Sequence, residues 1–245
     1  MTGLWVLVRK EVLEQRRTHK FLAMAAVFTL VAVLGPTVFR IVQHLQDEPH
    51  GVEQAREALV NIGGGMIPFL GIFLAIIITM GALASERASG TAAMTLSKPV
   101  TRAAFVAAKF LGLGASIFGA VAIAGTVAYL LTLFLFADGG LGRFAVGLVI
   151  TATYLLFVGS IALFWSAMFS RQLLAGGIAF VLMVVQGILT GIPHTERFWP
   201  ISSVDWSMSI IRGEANDRWP GFAIACGLIV VLSLASWVIF RRKEL

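Results

Sequence analysis

The sequence predicts an all-α integral membrane protein with six spanning helices, and three observations lead there. Charged residues make up 13% of the chain against 58% hydrophobic ones, whereas soluble domains carry roughly 25% charged residues. The apolar residues gather into six long runs free of Asp, Glu, Lys, Arg and His. Those runs are continuous rather than alternating in polarity, which favours membrane helices over the strands of a barrel.

The six runs are Phe21–Phe39, Ile62–Ser85, Phe110–Ala137, Phe144–Ser170, Gln172–Pro193 and Trp219–Phe240. A hydrocarbon core about 30 Å thick needs about 20 helical residues, so each run is long enough to cross. The first run is too long for the h-region of a cleaved leader and reads as a retained span. Only Ser170, Arg171 and Gln172 separate the fourth run from the fifth, which demands a tight turn there. Gly35-Pro36 and Pro68 are expected to kink the first two spans.

Orientation follows from the basic residues. If the N-terminus is cytoplasmic, the inner segments hold 13 of the 19 Lys and Arg residues, among them Arg9, Lys10, Arg87, Lys98, Arg102 and Lys109. That bias predicts both termini inside. Topology thus accounts for the net charge of +6, and a nucleic-acid partner is not needed. One domain, residues 1–245, is expected.

Three segments lie outside the runs. Residues 1–20 carry an imperfect apolar stripe of Leu4, Trp5, Val8 and Val12, as expected of a helix lying in the inner interface with Trp5 at headgroup depth. The outer segment after the first run has a helical pattern around Val52–Leu59. Residues 194–218 contain Trp199, Trp206, Ile210 and Ile211, too apolar for a solvated loop. An amphipathic, re-entrant element is expected, with those four side chains toward lipid.

Several chemistries are excluded or unsupported. No lysine follows a glycine, so the chain has no P-loop, and it has no H-E-x-x-H. The four histidines are scattered, and Cys226 is a lone thiol in an apolar run. No catalytic, cofactor or metal site is expected. With no charge inside any run, a proton-driven carrier is disfavoured, although sodium coupling through hydroxyls and carbonyls stays open. Gly187-x-x-x-Gly191 in the fifth run offers a helix-packing face. Gln186 is expected to make an interhelical hydrogen bond or, alternatively, to touch a substrate.

The inner segment 86–104 is the best punctuated. Gly90 permits a chain break, Thr91 can cap a short helix over Ala92–Leu96, Pro99 stops it, and Thr101 can cap the third span. Read physically, this is a stiff element tied to two spans, or simply a capped turn.

The residues themselves resemble a known signature. Arg9-Lys10-Glu11 precedes the first span; Glu86-Arg87-Ala88-Ser89-Gly90-Thr91 follows the second; Leu96-Ser97-Lys98-Pro99-Val100-Thr101-Arg102 and then Lys109 lead into the third. These runs resemble the type-2 permeases of ABC exporters, except that Ala92-Ala93-Met94 stands where many members carry a bulkier or acidic residue. The resemblance implies a membrane subunit without ATPase activity of its own. It implies a separate ABC ATPase subunit that binds ATP and Mg²⁺, a second permease copy, and a plasma-membrane location in a prokaryote. It also implies that Glu86, Arg87, Gly90, Thr91, Leu96, Pro99 and Arg102 couple to the ATPase, beside an interfacial helix bearing Trp5, Arg9, Lys10 and Glu11. A membrane scaffold working with an ATPase, or a sodium-coupled carrier, are the alternatives. The cargo is not legible.

Overall fold

The computed structural model of the protein describes residues 2–45, 51–91 and 101–242. Among these, all regular structure is helical. We label the α-helices in chain order: α1 Thr2–Arg17, α2 Lys20–Leu45, α3 Val52–Val60, α4 Ile67–Thr79, α5 Ala84–Ala88 and α6 Arg102–Leu135. After these come α7 Leu141–Met168, α8 Gln172–Leu189, α9 Ser202–Arg212 and α10 Trp219–Arg242.

Six helical stretches are long and apolar enough to cross a membrane: α2, the continuous stretch Val52–Ala88, α6, α7, α8 and α10. Each coincides with one of the six apolar runs. The predicted helix near Val52–Leu59 is α3, and the tight turn at Arg171 consists of the residues between Met168 and Gln172. Helix α6 has 34 residues, about 51 Å at 1.5 Å per residue. That exceeds the hydrocarbon thickness, so its Arg102–Lys109 end projects past the apolar run.

Helix α7 is the centre of the bundle. Its most apolar stretch is 72% buried, against 17–44% for the other spans. Phe28 from α2, Ile117 from α6, and Tyr154 and Leu155 from α7 are fully enclosed in the main core. Large apolar side chains such as Phe69, Leu173, Val181, Ile188 and Val230 stay exposed. For a chain of this composition the bilayer is their solvent.

The two proline sites behave differently. Helix α2 runs unbroken through Gly35-Pro36. Ahead of Pro68 the chain widens into a π-helical turn, Asn61–Met66. There the Ile67 amide bonds to the Ile62 carbonyl, and Pro68 has no amide to give. The Gly63 carbonyl is thereby freed, and the Thr151 hydroxyl of α7 donates to it at 2.9 Å. Ser207 of α9 lies 3.2 Å from Thr151 and donates to the Gly147 carbonyl at 2.9 Å.

The 194–218 segment folds as a 3₁₀ turn, Glu196–Phe198, followed by α9. One feature differs from expectation. Ile211 is fully buried, filling the space beside Gly63 and Gly147, rather than facing lipid. Residues without side chains at those two positions create the pocket that draws it inward. Trp206 is half-buried, its ring tilted against Phe222 at 5.5 Å.

Candidate functional site

At the end of the bundle that carries the α5–α6 connection, charged side chains from distant parts of the chain meet in a buried cluster. Helix α5 begins where two of its amides, those of Leu83 and Ala84, donate to the Ser166 hydroxyl of α7 at 3.1 and 3.0 Å. Leu83 packs in a small second core with Phe105, Leu163 and Phe240, which joins α6, α7 and α10. The Phe105 and Phe240 rings stack at 5.4 Å. This core seats α5 so that Glu86 points inward, only 9% exposed.

Lys109 receives it. The Lys109 ammonium pairs directly with Glu86 and lies 2.8 Å from the Glu11 carboxylate of α1. It also sits 5.7 Å from the centre of the Phe105 ring. Glu11 and Lys109 are 4% and 7% exposed. Burial pushes the Glu11 carboxyl above its usual range, and Lys109 opposes that rise. Lys109 holds the two acids together at this depth, and leaving a buried member unpaired costs about 3–5 kcal/mol.

The helix that delivers Glu11 packs on the bundle through Leu7 and Glu11, off the stripe expected to face the interface. Leu7 and Glu11, one turn apart, face the bundle, while Trp5 is 74% exposed. Glycine at position 112 allows the approach, since a Cβ there would meet the Glu11 Cβ at 3.0 Å. Gln15 adds a hydrogen bond with Ser116. Arg9 is exposed, and Lys10 lies 3.8 Å from Glu14.

Both ends of the connection are anchored elsewhere too. Arg87 donates to the carbonyls of Ser166 and Phe169 at 3.0 and 2.6 Å, at the C-terminal end of α7. Arg102 donates to the carbonyls of Arg241 and Phe240 at 2.9 and 3.5 Å, at the end of α10. Each guanidinium meets the negative pole of a helix and orphan carbonyls that need donors. Gly90 adopts φ +72°, the left-handed region, and Thr101 caps α6 by accepting from the Ala104 amide at 3.1 Å. Thr91 is exposed and shares a 2.6 Å hydrogen bond with Ser89. Leu96 and Pro99, with the short helix expected over Ala92–Leu96, lie outside the described residues.

Beside the trio is a cavity of about 40 Å³ lined by Glu11, Glu14, Gln15, Thr79 and Lys109. It has room for two or three waters at roughly 10–15 Å³ each. The buried Thr79 hydroxyl, which lines it, has no partner among the described residues, and such water would satisfy it. Glu11, Glu14 and Glu86 offer carboxylate oxygens within 4.8 Å of one another, and Lys109 already serves Glu11 and Glu86 as their cation.

The predicted residues are therefore brought together in part. Glu86 and Glu11 meet at Lys109, while Arg87 and Arg102 bond to the ends of α7 and α10, so Glu86, Arg87 and Arg102, expected as partner contacts, are engaged within the chain. The reading from sequence missed Ser166 as a cap and gave Lys109 no role beyond the signature. A lysine flanking a long uncharged run was the available signal. Gly187 and Gly191 take no part in this cluster: among the described residues nothing lies within 4 Å of a Cβ at Gly187, and Gly191 lies beyond the end of α8. Gln186 is 6% exposed, with both amide atoms unpartnered among the described residues.

The chain is similar to an uncharacterized transmembrane protein, YxlG, of Bacillus subtilis (strain 168). They are 25% identical over 260 aligned positions that cover 100% of this chain and 99% of the relative. The model of the ABC-2 family transporter proteins matches residues 5–245. With six apolar spans and a match over nearly its whole length, the chain belongs to the ABC-2 family, the membrane-spanning permease components of ABC transporters.

Proposed function

We propose that the chain is the permease subunit of an ABC exporter, with both termini cytoplasmic. Two copies form the pathway, and a separate cytoplasmic ATPase, carrying ATP and Mg²⁺, docks on the connection between α5 and α6. The observation that carries this reading is the anchoring of that connection. Lys109 ties α5 to α1 and α6, while Arg87 and Arg102 tie its two ends to α7 and α10. A push on the segment between Gly90 and Thr101 is then delivered to four helices at once. In this reading α1 lies along the inner membrane surface and moves with the connection. The exposed apolar face of α8, with Gly187 open, supports a second copy contacting the spans α2, α4 and α8.

Glu86 and Arg102 have structural partners, so their loss would not separate docking from folding. A photo-crosslinking residue in place of Leu96, introduced in cells, avoids that problem. The reading requires a covalent adduct with a P-loop ATPase. Adducts only with other membrane proteins would overturn it. Substrate-stimulated hydrolysis by the reconstituted pair distinguishes transport from a scaffold role.

A further inference from the structure

An apolar groove of about 520 Å³ runs between α6 and α7. Its walls extend from Phe118 to Leu130 on α6 and from Leu141 to Ala152 on α7. At 1.5 Å per residue that stretch of α6 is about 18 Å long. One leaflet of a hydrocarbon core about 30 Å thick is about 15 Å deep, so the groove matches one leaflet, the one facing the α6–α7 turn. Ala122 and Ala145 are small and exposed, which keeps the trough open. Thr126 offers no free donor inside it, because its hydroxyl bonds to the Ala122 carbonyl at 2.8 Å.

The mouth is polar and negative. Tyr129, which lines the groove, donates its hydroxyl to Asp138 at 2.6 Å, and the Gly140 amide donates to the same oxygen at 2.8 Å. The Tyr129 hydroxyl holds the Asp138 carboxyl below its usual range, so it is ionised at neutral pH.

We propose that this groove holds an acyl chain of a bilayer lipid whose headgroup carries an ammonium. The chain fills the leaflet-length trough and the ammonium meets Asp138. The inference rests on the membrane-spanning character of α6 and α7, not on the ATPase. Its walls, α6 and α7, are not among the spans proposed for the dimer contact.

The test uses the full-length protein in nanodiscs of equal phosphatidylethanolamine and phosphatidylglycerol, with native mass spectrometry after release. The wild type should retain phosphatidylethanolamine over phosphatidylglycerol by about two- to fivefold, the size of effect an exposed ion pair gives. Ala122→Trp fills the trough from an exposed position and should lose most retained lipid; Ala145→Phe is the second variant should the first fold poorly. Asp138→Asn should keep lipid but lose the preference. Equal retention by the wild type and both groove variants overturns the site. A groove variant that loses lipid only by changing the oligomeric mass shows that a second copy covers the groove, and overturns it too. Unchanged preference in Asp138→Asn overturns the headgroup assignment.

Discussion

The Lys109 ammonium lies 2.8 Å from the Glu11 carboxylate, although the two residues are 98 positions apart. With Glu86 on its other side, Lys109 fastens the N-terminal helix and the end of the second span to the third. Breaking a buried pair by removing one partner is far costlier than replacing the whole group with apolar residues. Lys109→Met should therefore destabilise the chain by about 3–5 kcal/mol. Adding Glu11→Gln and Glu86→Gln should restore much of the loss. Thermal unfolding in one detergent checks both; a Lys109→Met stability within about 0.5 kcal/mol of wild type, the range of an ordinary surface change, rules the lock out.

The same cluster sets a pH dependence. Burial raises the Glu11 carboxyl above its ordinary value of 4.5, net of the opposing effect of Lys109. A raised acid favours its protonated form in the folded state, so its contribution is fully present below 4.5 and is lost as pH rises through the higher folded value. Docking of α1 should tighten as pH falls through the raised value toward 4.5. Proteolytic access to α1 measures this, and Glu11→Gln should flatten the response.

Ser166 supplies the cap on which α5 is seated. Ser166→Ala leaves the Leu83 and Ala84 amides without their acceptor, a loss of about 1–3 kcal/mol for buried donors. Amide exchange at Leu83 and Ala84 should accelerate in lipid while the middle of α7 stays protected. Uniform acceleration along α7 would instead mean that the substitution unfolds the bundle.

Thr151 tests the π-helical turn. Thr151→Val removes the donor that serves the freed Gly63 carbonyl. Hydrogen bonds between membrane helices are worth about 0.6 kcal/mol on average and up to about 1.7, so a modest but measurable loss of stability is expected. Ser207→Ala should not add its full effect, because the two hydroxyls share one network.

Both termini are predicted to lie in the cytoplasm. In a Cys226→Ala background, cysteines at Gly51 and Ala215 should react with an impermeant thiol reagent from outside sealed cells. Cysteines at Gly3 and Glu244 should react only after permeabilisation. Reaction of either terminal cysteine from outside reverses the orientation.

What was legible in the sequence was local. Each span is a property of its own composition, because a run of about 20 uncharged apolar residues crosses a bilayer on its own transfer free energy. The helix at Val52–Val60, the cap at Thr101 and the left-handed Gly90 are likewise decided within a few residues. Tertiary structure alone decided which side chains meet. Nothing near Lys109 in sequence announces Glu11, and the apolar stripe on α1 pointed away from the face that packs. Ile211 turned inward because Gly63 and Gly147, far apart in the chain, leave room beside each other. Such pairings depend on how whole helices cross, and the strong terms that select them, burial of charge and filling of space, act only once distant segments have come together.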